Sequence, residues 1–312
     1  LQKGQEAHYL RPYIIKLSSL NTHLTTLRLT LLAWIFFILA PPAFAVETLI
    51  IGDIQYKPVV DVVSEIKSSL NSPAKVYATA DVMGKLVQIA DREDARLVVA
   101  LGSNAVNEAL KLPPSIPVIY GLVIAPPKTA RQNITGVYMS TPVSEYVNTI
   151  NEYLPSLKKL SVVGSQELMN ILDGRSYAQV ALYRVSSSSE LVNTVDHLEV
   201  SHALLLLPDV ALLTTAVMEQ VYLFSYRKNV PLLGISEGNV KQGSLFAIVF
   251  DSVNVGQQIG EKAQHALNGV DLKEMPPSPP KKFNLFLNNA TAKKMGITIP
   301  SEMLENAKRV YP

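Results

Sequence analysis

Gly234-Ile235-Ser236-Glu237-Gly238 is the stretch of this chain whose residue types and spacing suit covalent chemistry. G-x-S-x-G is the pattern of a nucleophile elbow, where a serine on a sharp strand-to-helix turn attacks an acyl group. Asp251 and His265 follow in the chain order such a triad uses. The residues after Gly238 argue against it. Asn239-Val240-Lys241-Gln242-Gly243 is short and Gly-bounded and predicts no helix, and His265 falls within a helical run. Beyond residue 45 the histidines are His197, His202 and His265, without an H-E-x-x-H pair or a cysteine partner, so no metal site is expected. There is no Walker loop and no G-x-G-x-x-G, so no nucleotide or dinucleotide cofactor is expected.

A second set of residues suits binding rather than reaction. Gln55, Ser103, Asn104, Tyr120, Ser165, Gln166, Asp209, Ser236 and Glu237 each end or directly follow a short apolar run. If those runs are strands of open α/β sheets, these are the positions where ligands sit. Three of them have a plainer alternative. Ser103 and Asp209 suit helix N-caps, and Tyr120 suits a core cap.

The elements that must position them alternate. Thr48–Ile54, Lys75–Thr79, Arg96–Gly102 and Ile116–Tyr120 are strand candidates, with helical patterns at Pro58–Leu70 and Ser103–Lys111. Continuous apolar runs mean strands covered on both faces, as in a parallel sheet. The order restarts at Thr141-Pro142, a helix start with Thr as N-cap, running to about Tyr153. Leu160–Gly164, Val180–Val185, Ala203–Leu207 and Val230–Ile235 follow as strands, with helices from the capping-box spacing Ser187–Glu190 and over Val210–Arg227. Ser244–Phe250 and Phe283–Leu287 read as strands, and Ser252–Leu267 and Asn289–Met295 as helices. The expected class is α/β, with two doubly wound lobes in series.

Compartment is legible at the other end. Leu29–Ala40 is an apolar run after Arg28, closed by Pro41-Pro42 and the A-x-A pattern Ala43-Phe44-Ala45. That is the layout of a cleaved export signal over residues 1–45, and the run is short of the ~20 apolar residues that span a bilayer. Four basic residues and one acidic residue fall in this segment, so the remainder is nearly neutral and no basic stripe suggests nucleic acid. The absence of Cys excludes disulfides and a lipid-bearing cysteine, and points to a freely soluble periplasmic monomer of a Gram-negative cell.

Several pieces then fall into a known order: Asn133-Ile134-Thr135-Gly136-Val137, Pro142 with a helix ending at Leu154-Pro155, Val240-Lys241-Gln242-Gly243-Ser244-Leu245, and the Asp251–Gly256 turn into a helix ending at Gly269. Asn288/Asn289 with Thr291–Ile297, then Ile299-Pro300, complete it. The chain resembles the ABC-transporter substrate-binding proteins of the type I periplasmic-binding-protein fold, in the tryptophan/tyrosine-uptake-like branch. The resemblance implies two lobes joined by three crossovers, near Tyr138–Ser144, Ser236–Ser244 and Pro277–Phe283. Lobe 1 would be residues 46–140 plus 244–278, and lobe 2 residues 141–243 plus 279–312. It implies ligand contact by the Gly102-Ser103-Asn104 turn and by the Gln55 loop. Gly164-Ser165-Gln166-Glu167 departs from the family's Asn-Pro-type loop. The implied function is capture of a small molecule, such as an amino acid, for a membrane ABC permease, with no reaction on the ligand. A periplasmic sensor feeding a membrane kinase is the alternative, and a serine esterase using Ser236 the remote one.

Overall fold

The structure, a computed structural model, describes residues 47–171, 177–198 and 200–312, within the compact unit Ala45–Pro312. The expected export signal, residues 1–45, lies outside the described residues.

The first lobe is built from β1 (Thr48–Ile51), α1 (Lys57–Ser69), β2 (Ala74–Tyr77), α2 (Thr79–Val82), α3 (Leu86–Arg92), β3 (Leu97–Leu101), α4 (Ser103–Ala109), β4 (Val118–Val123) and β5 (Ile134–Tyr138). All five strands pair in parallel, in the order β2-β1-β3-β4-β5. Alternate residues of β1 serve opposite faces. Ile50 packs toward α1, while Leu49 and Ile51 pack toward the α3 and α4 side. β5 is absent from the sequence reading because its run is broken by Thr135 and Gly136. The glycine is required there, since a Cβ would stand 2.2 Å from the Tyr120 carbonyl oxygen and 2.5 Å from its ring.

The second lobe contains α5 (Val143–Tyr153), β6 (Leu160–Gly164), α6 (Gln166–Ile171), β7 (Val180–Arg184), α7 (Ser188–Asp196), β8 (Ala203–Leu206), α8 (Thr215–Lys228), β9 (Leu232–Leu233), α9 (Glu237–Gln242) and β10 (Phe246–Phe250). Then come α10 (Ser252–Leu267), β11 (Phe283–Asn288), α11 (Asn289–Lys294), α12 (Ser301–Asn306) and β12 (Arg309–Tyr311). Strands β7-β6-β8-β9 form one parallel sheet, and β10-β11-β12 a mixed one, with β10 antiparallel to β11 and β12 parallel to it. The bridge Gly234–Ala247 and the bond from Leu245 N–H to Leu232 O stitch them together. One apolar core, with Tyr146, Leu160, Leu205, Phe246 and Leu287, lies across that seam.

Three sequence expectations change here. The boundary expected at Ser244 falls after Phe250, because β10 pairs with β11 and fills the second-lobe core; the return to the first lobe begins with α10. The long helix expected from Val210 starts at Thr215, capped by Thr214, whose hydroxyl accepts from Val217 N–H. Thr141 does not cap α5. Pro142 takes that position, and the Thr141 hydroxyl donates to Ile248 O at 3.0 Å.

Helix α10 is held on the first lobe by close packing against α1. Val255, Ile259 and Ala263 join Val62 and Ile66 in one core. The approach needs glycine: a Cβ on Gly256 would lie 2.6 Å from Glu65 Cβ and 2.8 Å from Val62 O, and one on Gly260 would lie 2.5 Å from Ser69 Cβ. Gly256→Ala should therefore push the helices apart and cost about 1–3 kcal/mol, read as a lower urea midpoint. An unchanged midpoint would show that the pair has slack.

Candidate functional site

The chain passes between the lobes three times, and the passages are tied to one another. Met139 N–H donates to Val123 O, and Tyr138 N–H to Ser278 O. Asp251 stands between β10 and α10. Its carboxylate accepts from Asn254 N–H at 2.9 Å, capping α10, and from the Asn284 amide on β11 at 3.1 Å, while its own N–H donates to Lys282 O. Burial pushes this carboxyl up, but those donors, with Lys308 and Lys282 nearby, outweigh it and leave it below its ordinary value.

Beside these passages lies a cleft of about 380 Å³. Its walls are mostly second-lobe aliphatic side chains: Leu206, Leu213, Leu232, Leu233 and Ile235, with Met218, Pro208 and Val210. Asp209, Ser236, Asn239 and Ser244 supply the polar atoms. Ile124 enters from the first lobe. It gets there because β4 breaks register with β5 between Tyr120 and Val123, and Leu122 takes a left-handed backbone at φ 55°. That conformation is costly for a residue with a Cβ. It swings Ile124 and Ala125 onto the second-lobe core, where Ser140 Oγ donates to Ile124 O at 2.6 Å. Further along the same loop, Lys128 pairs with Glu167 of α6 at 2.9 Å.

Two of the residues expected from sequence line this cleft. Asp209 does not cap α8. Its Oδ1 accepts from Ala211 N–H at 3.0 Å, closing the turn that follows β8, and Oδ2 has no hydrogen-bond partner among the described residues. Ser236 caps α9, a helix the sequence reading did not expect because Gly238 lies within it and Gly243 ends it after six residues. Ser236 Oγ accepts from Asn239 N–H and donates to Asn239 Oδ1 at 2.9 Å, and its φ of −148° is ordinary extended backbone. A nucleophile elbow needs a strained turn and a base on the hydroxyl. Here the proton goes to an amide oxygen, and His265 belongs to α10 on the first lobe.

The others lie elsewhere. Tyr120 is 1% exposed within the first-lobe core, and burial holds its phenol well above the ordinary value. Gln55, on the turn after β1, and Ser103 and Asn104, in the first turn of α4, are exposed and do not line the cleft. Ser103 opens α4 behind Gly102 at φ 91°, so the glycine takes the cap position. Ser165 and Gln166 close β6 outside the lining. Glu237 turns away from the cleft. It accepts from the Tyr311 hydroxyl and pairs with Arg309 at 3.0 Å and Lys241 at 3.4 Å, which fastens α9 to the last strand. Ile124, Met218 and Asn239 were missed. Asn239, three residues after an N-cap serine, carried a usable signal.

The two lobes, the triple passage and an apolar cleft on one side of it define a ligand-binding clamshell. A family model for ABC transporter substrate-binding proteins matches residues 52–311, and the chain belongs to that family. It is 22% identical over 242 residues to a tyrosine-binding protein of Clostridioides difficile, covering 72% of this chain and 69% of the relative. The fold is similar to the ligand-free, open structure of a substrate-binding protein with adhesive properties from Clostridium difficile (TM-score 0.61, 17% identity, 85% of this chain and 98% of that one). It is also similar to an ABC domain in complex with L-Trp from Streptococcus pneumoniae (TM-score 0.53, 18% identity, 84% and 98%).

The Glu237 cluster has a pH signature. The Tyr311 hydroxyl first, then Lys241 and Arg309, hold this carboxyl below its ordinary value. A depressed carboxyl stabilises the fold above its unfolded value and loses that contribution as pH falls toward the native value. The urea midpoint of the wild type should exceed that of Glu237→Gln at about pH 7, with the gap closing toward about pH 3. A gap independent of pH would remove the charge cluster from the account.

Proposed function

We propose that the protein is a periplasmic solute-binding component of an ABC importer and captures an amino acid with an apolar side chain by closing its lobes. The observation that carries this reading is the composition of the cleft: aliphatic walls with one half-engaged carboxylate, Asp209, at the rim. Sites for small molecules are mostly apolar with a few placed polar groups, and about 380 Å³ lies within their usual range. Asp209 Oδ2 suits an α-ammonium, and the Asn239 amide, whose Oδ1 is taken by Ile235 N–H and Ser236 Oγ, keeps its N–H₂ for a ligand carboxylate. Ser103 and Asn104 of the first lobe make no side-chain hydrogen bonds among the described residues, and closure would carry them to the ligand. The relatives that bind tyrosine and L-Trp support an amino acid as the class. No step transforms the ligand. Delivery to a membrane permease, export through residues 1–45 and a monomeric state belong to the same proposal.

The test is a thermal-shift and calorimetric panel of amino acids, sugars, nucleosides and anions. A cognate ligand at 100 times its Kd should stabilise by about 2.7 kcal/mol. Asp209→Asn should weaken that ligand at least about tenfold, the scale of one lost charge-assisted hydrogen bond, with the unliganded melting temperature little changed. Binding of sugars but no amino acid, or equal affinity in Asp209→Asn, would contradict the assignment.

A further inference from the structure

The cleft does not end at its floor. A second cavity of about 110 Å³ lies toward the lobe passages and shares Ile124, Pro208 and Ile235 with the cleft. Those three form a neck. Beyond it the walls are Met139, Tyr146, Leu207 and Phe250. Met139 belongs to the first passage between the lobes, and Phe250 ends β10 directly before the second. No charged residue lines the chamber. Its two hydroxyls are committed: Thr141 Oγ1 donates to Ile248 O at 3.0 Å, and Tyr146 Oη donates to Gly234 O at 2.9 Å. Neither side-chain hydroxyl of the chamber thus has a proton to spare for a polar guest.

We propose that this chamber is the side-chain subsite of the cleft, and that it selects amino acids with compact apolar side chains. The proposal rests on the reading of the cleft as an amino-acid site and adds the size and chemistry of what enters. An apolar cavity of about 150 Å³ accepts a single benzene ring. At about 110 Å³ the chamber suits a branched aliphatic chain and leaves no room for a fused bicyclic ring. The backbone atoms of the guest stay in the wider cleft, within reach of Asp209 and Asn239. Because Met139 lies in the first passage and Phe250 ends the strand that leads into the second, a side chain seated there rests against the first passage and beside the second. A guest too large to pass the neck holds Ile124 away from Ile235.

The experiment is calorimetric titration of the full chain without its first 45 residues against alanine, valine, leucine, phenylalanine, serine and tryptophan. Affinity should rise about fourfold per added methylene from alanine to leucine. Serine should bind no better than alanine, and tryptophan at least about tenfold more weakly than leucine, as overpacking predicts. Ile124→Phe, at the neck, should reduce the leucine-to-alanine affinity ratio at least about tenfold. Phe250→Leu, which enlarges the chamber, should raise the tryptophan-to-leucine ratio, and this half-buried position tolerates the change without threatening the fold. Tryptophan equal to leucine, or ratios unmoved in both variants, would overturn the subsite while keeping amino-acid binding. Absence of binding by any amino acid would overturn both.

Discussion

Asp251 is the constraint on which the rest of the molecule depends. A chain that leaves one sheet, builds another and returns must let its passages bend while keeping them in register. Asp251 does this with one carboxylate and one N–H. It starts α10 on the first lobe, accepts from Asn284 on the second, and binds the returning strand at Lys282. The glycines of α10, Gly256 and Gly260, let it lie close against α1. In the proposed closure, bending would fall on a few residues at Met139–Thr141, Asp251 and Ser278–Lys282, between packed elements.

The cleft is unequally shared. The second lobe builds nearly all of its walls, and the first lobe contributes Ile124 through a bulge that places Leu122 in a conformation leucine seldom adopts. That strain is offset by burying Ile124 and Ala125 against the second-lobe core. The loop that joins the lobes on the cleft side is thus held by packing more than by hydrogen bonds. Lys128–Glu167, an exposed pair, adds on the order of 0–1 kcal/mol. Ser236 and Asn239 are held from behind, since Glu237 anchors their helix to Arg309 and Tyr311 of the final strand.

Much of this fold is legible in the sequence because its strands are buried on both faces and read as uninterrupted apolar runs, as at Leu97–Leu101 and Leu160–Gly164. The elements that escaped are those whose identity comes from neighbours. β5 is a strand because it pairs with β4, with Gly136 admitting Tyr120 at close range, and α9 is a helix because Ser236 and Asn239 bond to each other despite Gly238 within it and Gly243 at its end. The site divides the same way. Asp209 and Ser236 line the candidate cleft because residues that follow strands face the ligand side of an α/β sheet. Tyr120 obeys the same rule but points into the core. Glu237 stands off the cleft, held by partners 72 and 74 residues away, beyond the reach of any local pattern. Ile124 depends on a bulge that no local pattern announces.

The central claim is that a ligand in this cleft draws the lobes together. The chain has no cysteine, so two can be introduced as label sites without background. Asp81→Cys on the first lobe and Glu219→Cys on the second are both exposed. Spin-label distances between them, measured with and without a saturating amino acid found by titration, should shift to shorter values and narrow when ligand is present. A ligand that binds while the distance distribution stays unchanged would contradict the account.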